Sequence, residues 1–238
     1  AGHSHWAGIK HKKGRQDKLR SKIFSKISRE ITVAAKLGSK DPQSNPRLRT
    51  AIELAKDANM PKDNINRAIN KSEIDKEKNY ESLRYEGFGP KNIALIIETL
   101  TENKNRTAGS IRVILQKHGG NLGSSGSTTH YFDNCGIIQF AKQNISDEEA
   151  LELAINAGSN DCVTLDNYHE IITKKEDFYK VKNTIINSVK TLIYSGIEWR
   201  PNNFIDISKE ESTDFENMLE QLHEDDDIQK VFHNCKPA

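Results

Sequence analysis

Leu19, Ile23, Ile27 and Ile31 recur every four residues, with Phe24, Ala34 and Ala35 beside them. That spacing predicts an amphipathic helix from Asp17 to about Leu37, stopped by Gly38. Lys18, Lys22, Lys26 and Arg29 form a second stripe at helical spacing, expected on the exposed side. Residues 1–16 show no periodicity and read as an extended, mobile arm. Asn45-Pro46 reads as the N-cap and first residue of a second helix, with Leu48, Ala51, Ile52 and Ala55 inward. Asn59-Met60-Pro61 breaks it, and Ile65, Ala68 and Ile69 mark a short third helix. The segment from Lys71 to Tyr80 is charged and nearly free of apolar residues, which places a domain boundary there.

Beyond it the pattern mixes two periods. Asn92 to Leu100 reads as a buried strand, with Gly87 to Pro90 a tight turn into it. Thr107 to His118 reads as a helix with Ile111, Ile114 and Leu115 inward, ended by Gly119-Gly120. Ser127 to Phe132 is expected to close a βαβ unit, and Gly136 to Ala141 opens a new strand. Ser146-x-x-Glu149 is a capping box before a helix holding Leu151, Leu153 and Ile155, stopped by Gly158. Cys162 to Leu165 and His169 to Thr173 alternate as a hairpin, and Thr173-x-x-Glu176 is read as the cap of the next helix. Ile197 to Arg200 is a strand, and Phe204 to Ile207 another. Ser208-x-x-Glu211 caps a helix with Phe215, Leu219 and Leu222, and Ile228 to Phe232 is the last strand.

The order βαββαβ is complete within residues 135–202, the ferredoxin-like pattern. The elements on either side combine into a second such domain. The expectation is therefore an α+β protein of three domains. They are an N-terminal three-helix bundle with its arm (1–78), a discontinuous α/β domain (79–134 plus 203–238), and an α/β domain inserted in it (135–202).

Composition changes this picture in one respect. The net charge of the 238 residues is only +1, and hydrophobic residues make up 35%. The average hides a gradient: residues 1–40 carry eleven basic and two acidic residues, residues 205–238 three basic and ten acidic. A strongly basic end beside an acidic one points to a polyanion contact at the basic end. Within it stand Trp6 and three histidines, His3, His5 and His11. An exposed Trp in a basic arm suits stacking on an unpaired base or insertion into a groove. The interface read from the sequence thus comprises His3, His5, Trp6, Lys10, His11, Lys12, Lys13, Arg15, Lys18, Arg20, Lys22, Lys26 and Arg29. The competing reading is a solvated basic helix with Trp6 tucked onto the bundle.

Other chemistries find less support. Gly87-Phe88-Gly89-Pro90 is half of G-x-G-x-x-G, but a strand follows where a dinucleotide site needs a helix. Gly119 to Ser127 lacks the Lys-Ser or Lys-Thr of a P-loop. These glycine-rich stretches, Gly87, Phe88, Gly89, Pro90 and Arg106, Lys117, His118, Gly119, Gly120, Asn121, are read as a second contact surface. The N-terminal histidines lack Cys or carboxylate neighbours, and their basic flanks disfavour a bound metal. There is no G-x-S-x-G or S-x-x-K, and spacing does not pair the scattered acids Glu98, Asp161 and Glu198. No catalytic residue, cofactor or metal is expected. Three distant cysteines, Cys135, Cys162 and Cys235, fit a reducing compartment. With no apolar span and no signal-peptide core, a cytoplasmic protein without membrane contact, monomeric, is expected.

Several stretches resemble the YebC family closely, whose members include the mitochondrial translational activator of cytochrome c oxidase. They are AGHSHWAGIKHKKGRQDKLRSKIFSKISREITVAAKLG and DPQSNPRLRTAIELAKDANMPKDNINRAI, then YEGFGP at Tyr85 to Pro90 and ENKNRTAGSIRVILQKHGGNLGSSGS at Glu102 to Ser127. His5 stands where that family usually carries Lys. The resemblance implies a helical domain followed by two α/β domains, and a non-enzymatic regulator of gene expression. Bacterial members are described as DNA-binding transcriptional regulators. Others are similar to ribosome-associated translation factors that help at proline runs and would contact ribosomal RNA.

Overall fold

The computed structural model describes residues 13–74 and 77–236, with backbone only for 13–16. The fold is α+β, with seven helices and two four-stranded sheets among the described residues. Two compact units emerge: residues up to 125 with 207–231, and residues 126–206 with those from 232 onward.

The first unit opens with three helices, α1 (Lys13–Leu37), α2 (Pro46–Asp57) and α3 (Lys62–Ile74). The helix expected from Asp17 begins four residues earlier, at Lys13. Ile27, Ile31, Ala34 and Ala35 of α1 form one core with Leu48, Ala51 and Ala55 of α2, Met60, and Ile65 and Ala68 of α3. Small residues let the helices approach: Thr32 on α1 donates its hydroxyl to the Ala68 carbonyl on α3 at 2.8 Å. Asn45 is the α2 N-cap. Its Oδ1 accepts from Leu48 N, and its Nδ2 donates to the carbonyls of Ala34 and Ser39 at the end of α1. One buried side chain thereby closes one helix and opens the next. Arg47 forks onto Glu30 at 2.7 and 3.0 Å, tying α2 to α1.

The same unit holds strands β1 (Glu81–Phe88), β2 (Ala94–Thr101) and β3 (Asn121–Leu122), helices α4 (Lys104–Lys117) and α7 (Lys209–Glu224), and, up to Val231, strand β8 (Ile228–His233). The sheet order is β3-β1-β2-β8. Strand β2 is buried along nearly its whole length, as its apolar run requires. Two expectations are corrected here. Glu81 to Phe88 is a full strand, antiparallel to β2 from Glu81↔Thr101 to Phe88↔Ala94. Its charged residues hid it from a search for apolar runs. The strand expected at Ser127 to Phe132 is absent: Gly126 turns the chain at φ 87 and a short 3-10 turn occupies Thr129–Tyr131. The chain after α4 instead returns as β3, antiparallel to β1 and so parallel to β2 with β1 between them, and the βαβ unit is closed by Asn121–Leu122 as a split unit.

The second unit contains β4 (Phe132–Ala141), α5 (Asp147–Ala157), β5 (Asp161–Thr164), β6 (Tyr168–Lys174), α6 (Phe178–Val189) and β7 (Tyr194–Pro201). Its sheet order β5-β6-β4-β7, each neighbouring pair antiparallel, is the ferredoxin-like arrangement read from the element order. Ile138, Phe140 and Ile171 face Ala150, Ala154, Phe178, Val181 and Ile185 of the two helices. The capping box at Ser146 and Glu149 is formed, and Gly158 stops α5 at φ 83. Thr173 is no cap: it sits within β6, its hydroxyl turned to the Lys174 carbonyl, and a 3-10 turn at Lys175–Asp177 delays α6 to Phe178. The strand expected at Phe204 to Ile207 reduces to one bridge, Ile205 to Cys235, because Ser208 already begins the capping turn of α7.

Candidate nucleic-acid interface

His3, His5, Trp6, Lys10, His11 and Lys12 lie outside the described residues, and of Lys13 and Arg15 only the backbone, in the first turn of α1, is described. The remaining residues of the basic stripe are Lys18, Arg20, Lys22, Lys26 and Arg29. Their placement corrects the expectation of one exposed face. The segment His223 to Asp227, from the end of α7 to the start of β8, lies along α1 and takes four of the five, three of them through its acids Glu224, Asp226 and Asp227 and Lys26 through the His223 carbonyl. Lys18 Nζ stands 3.2 Å from Glu224 Oε1. Lys22 Nζ donates to Asp226 Oδ1 at 2.6 Å and to the Glu224 carbonyl at 2.8 Å. Lys26, only 3% exposed, donates to the His223 carbonyl at 2.7 Å. Arg29 donates to the carbonyls of Leu100 and Asp226 and to Asp227 Oδ1 at 3.0 Å.

This arrangement perturbs the groups it buries. Loss of solvent, reinforced by the charge of Lys22, lowers the Lys26 pKa from 10.5 to about 8, against the attraction of Asp225 and Asp226. Asp227 is the opposite case. Burial works against its charge, but hydrogen bonds from Thr107, Arg29 and Arg106 overcome that and hold the carboxyl below its ordinary value. Arg106 reaches it with two nitrogens at 3.0 to 3.1 Å, and Thr107 Oγ1 at 2.8 Å. Asp227 thus joins α1, α4 and the start of β8.

Arg20 takes a different direction. It lies beside an open cleft of about 840 Å³ between α1 and α3. Cations enter this cleft from separate parts of the chain: Arg20, Lys26 and Arg29 from α1, Arg67 and Lys71 from α3, and Lys78 from the segment before β1. Against these stand two acids, Asp17 and Asp226. Two aromatic rings share the lining. The Arg20 guanidinium lies 5.4 Å from the Phe24 ring centroid, and that of Arg29 lies 5.1 Å from the Tyr80 centroid. Sequence reasoning missed Arg67, Lys71, Lys78 and Tyr80. The spacing of Arg67 and Lys71, one turn apart and opposite Ile65 and Ala68, held the signal. It was diluted by the neutral residues around it.

The second expected surface divides in two. Gly87 to Pro90 and Gly119 to Asn121 do come together, through the pairing of Phe88 with Asn121. Their glycines answer a packing need. A Cβ on Gly120 would stand 2.1 Å from the Phe88 carbonyl oxygen, and one on Gly87 2.8 Å from that of Asn121. Lys117 and His118 line a small cleft of about 300 Å³ with Glu220 and Glu224, and His118 Nδ1 lies 2.8 Å from Asp214 Oδ1. Arg106, at the far end of α4, belongs to the Asp227 cluster and not to this surface. Asp161 and Glu198 are not gathered either. Glu98 is on β2 of the first unit, while Asp161 and Glu198 are on β5 and β7, the two outer strands of the other sheet, roughly 14 Å apart at ordinary strand spacing. The buried Glu170 is committed to Arg200 and to Gln139. No helix among the described residues is long and apolar enough to cross a membrane.

Comparison with known proteins agrees with this architecture. Residues 4–74 match the family model of the TACO1/YebC protein N-terminal domain, and residues 80–235 that of the TACO1/YebC second and third domain. A probable transcriptional regulatory protein of Pelagibacter ubique is 54% identical over 98% of this chain and 97% of its own. Proteins with the same description from Zymomonas mobilis and Maricaulis maris are 46% and 43% identical, each over 98% of this chain and 94% and 95% of theirs. The crystal structure of a conserved hypothetical protein from Aquifex aeolicus superposes with a TM-score of 0.82 at 42% identity, covering 99% of this chain and 98% of that one. With both models matched along nearly the whole chain, and relatives this similar over their full length, the chain belongs to the TACO1/YebC family.

Proposed function

We propose that this protein is a non-enzymatic regulator of gene expression that binds nucleic acid in the cytoplasm as a monomer, of the type described as a DNA-binding transcriptional regulator. The observation that carries the reading is the α1–α3 cleft, where Arg20, Arg67, Lys71 and Lys78 gather beside Lys26 and Arg29, the last two already held by the segment His223 to Asp227, against two acids. Phosphates are the ligand such a surface suits, and their neutralisation releases counterions. In this reading the basic residues of the N-terminal sequence, Lys10, Lys12, Lys13 and Arg15, with His3, His5, Trp6 and His11, add further contacts. The second surface, around Phe88 to Pro90 and Lys117 to Asn121, supplies a further contact. The names of the relatives, probable transcriptional regulatory proteins, support the regulatory role.

A second reading is a ribosome-associated translation factor holding ribosomal RNA through the same cleft. The observation favouring it is the presence of Phe24 and Tyr80 among the cations, since rings serve unpaired bases, which folded RNA displays in its loops. Crosslinking in cells, followed by sequencing of the bound nucleic acid, separates the two. A discrete set of promoter fragments supports the transcriptional reading. One ribosomal RNA site replaces it with the translational one. No enrichment of either nucleic acid refutes both.

A further inference from the structure

We infer that the α1–α3 cleft is a site for an unpaired nucleotide, its base stacked on Tyr80 and its flanking phosphates held by Arg20, Arg67 and Lys71. This rests on the nucleic-acid reading above and narrows it to single-stranded or looped-out substrates.

Shape is the first argument. Readout of a duplex groove needs an element that protrudes into it, commonly one helix face presented whole. In α1 that face is withdrawn: Lys22, Lys26 and Arg29 are held by the segment His223 to Asp227. What remains is concave. At about 840 Å³ the cleft falls in the range of small-ligand sites, roughly 300–1,000 Å³. A concave basic surface follows a strand and does not enter a groove.

Chemistry is the second argument. Arg67 and Lys71 stand one turn apart on α3, and Arg20 faces the cleft from α1. Arg67 Nη2 donates to Asn64 Oδ1 at 2.7 Å, a neutral partner that orients the guanidinium and leaves its charge uncompensated by that contact. Between these cations lie the aromatic groups. Arg29, anchored by Asp227 and two carbonyls, holds its guanidinium 5.1 Å from the Tyr80 centroid. A ring fixed on one side by an immobilised guanidinium is preorganised to take a base on the other. Asp17 and Asp226 at the margin repel phosphate and so favour a strand path toward Arg67 and Lys71.

The test uses the full chain and a mixed-sequence oligonucleotide carrying a central 2-aminopurine. The oligonucleotide is offered as single-stranded RNA, single-stranded DNA and blunt DNA duplex. Expected are tighter binding of the single strands than of the duplex, and quenching of the 2-aminopurine on binding. Tyr80→Leu should weaken single-strand binding between about fivefold and about a hundredfold, the range for one base on one ring, with duplex binding unchanged. Tyr80→Phe should retain both affinity and quenching. Should Tyr80→Leu fail to fold, Arg67→Gln on the exposed side of α3 should weaken single-strand binding without abolishing quenching. Equal affinity for duplex and single strand, with no quenching, overturns the nucleotide site while leaving nucleic-acid binding intact. Failure of all three probes to bind overturns the broader reading with it. A preference between RNA and DNA single strands identifies which strand the site serves.

Discussion

Lys26→Met is the sharpest test of how the basic stripe is held. In the folded protein Lys26 is 3% exposed and its pKa falls from 10.5 to about 8, first through loss of solvent. At about 1.4 kcal/mol per pH unit, holding the buried ammonium costs about 3 kcal/mol at neutral pH. Methionine removes that cost and keeps most of the side-chain volume. It also removes the donor at 2.7 Å from the His223 carbonyl, worth about 1–3 kcal/mol if the carbonyl is left unsatisfied. The two effects nearly cancel, so near pH 7.5 the variant should lie within about 2 kcal/mol of the parent, and on the more stable side if the carbonyl finds water.

The pH dependence separates this account from an ordinary ion pair. Between the folded value of about 8 and the unfolded 10.5 the unfolded chain binds more protons, so the stability of the parent gains from Lys26 as pH rises. By about pH 9.5 the gain is about 2 kcal/mol, and the variant lacks it. Urea denaturation of both proteins, followed by circular dichroism at the two pH values, should show their difference moving by that amount in favour of the parent. A difference that stays constant with pH would refute the buried-ammonium account. So would a loss above about 4 kcal/mol at neutral pH, which would make the lysine a net stabilising partner of Asp225 and Asp226.

Other outcomes follow from single contacts. Asp227→Asn should cost about 3 kcal/mol, because it leaves the partly buried Arg29 without its carboxylate. The contribution of this carboxyl, with its lowered folded value, is present above its ordinary pKa and lost as pH falls through the folded one, so acid titration of both proteins should converge at low pH. Gly120→Ala drives a Cβ to 2.1 Å from a backbone oxygen and should lower the melting temperature sharply, with loss of the β1–β3 pairing seen as faster amide exchange at Asn121. Asn45→Ala removes a cap and two further hydrogen bonds and should cost about 2 kcal/mol in urea denaturation. Glu224→Gln combined with Asp226→Asn frees Lys18 and Lys22; polyanion affinity should rise and its salt dependence steepen, and an unchanged salt slope would place those lysines away from the bound strand.

Local signals in the chain were legible because local physics decides them. Asn45-Pro46, Ser146 with Glu149, Ser208 with Glu211, and Gly158 each act within a few residues, and each is found as read. The second unit's sheet was legible because its strands are apolar and its helices begin and end on clear signals, although α5 turns Ala150, Ala154 and Ala157 to the core and leaves Leu151 and Ile155 exposed. Strand β1 was not: it carries Glu81, Arg84 and Glu86, and its identity as a strand comes from β2 beside it. The stripe Lys18 to Arg29 was correct as a helical periodicity and misplaced as an exposed face. Nothing within twenty residues of Lys22 announces that Asp226 is its partner; that distance is bridged by the fold alone. The cleft was hidden for the same reason, since Arg20, Arg67 and Lys78 share a wall only once α3 has packed on α1.

The charge gradient along the chain therefore has a different meaning in space. Read along the sequence, a basic start and an acidic end are two independent features, one for a polyanion and one for solubility. Folded, part of the acidic end neutralises part of the basic start within one compact unit. Four consecutive acids, Glu224 to Asp227, hold the inner cations of α1 in the way a row of phosphates would, but with fixed geometry and without counterion release. A bound strand cannot recover those cations without displacing Asp226 from Lys22 and Asp227 from Arg29, and the latter also breaks the link to Arg106 and Thr107. On the proposed reading the cheaper contacts are Arg20 and the α3 pair Arg67 and Lys71, which line the cleft. On the proposed reading the acidic segment acts by subtraction, taking one face of α1 out of play and leaving the α3 side of the cleft and Tyr80 to a bound strand.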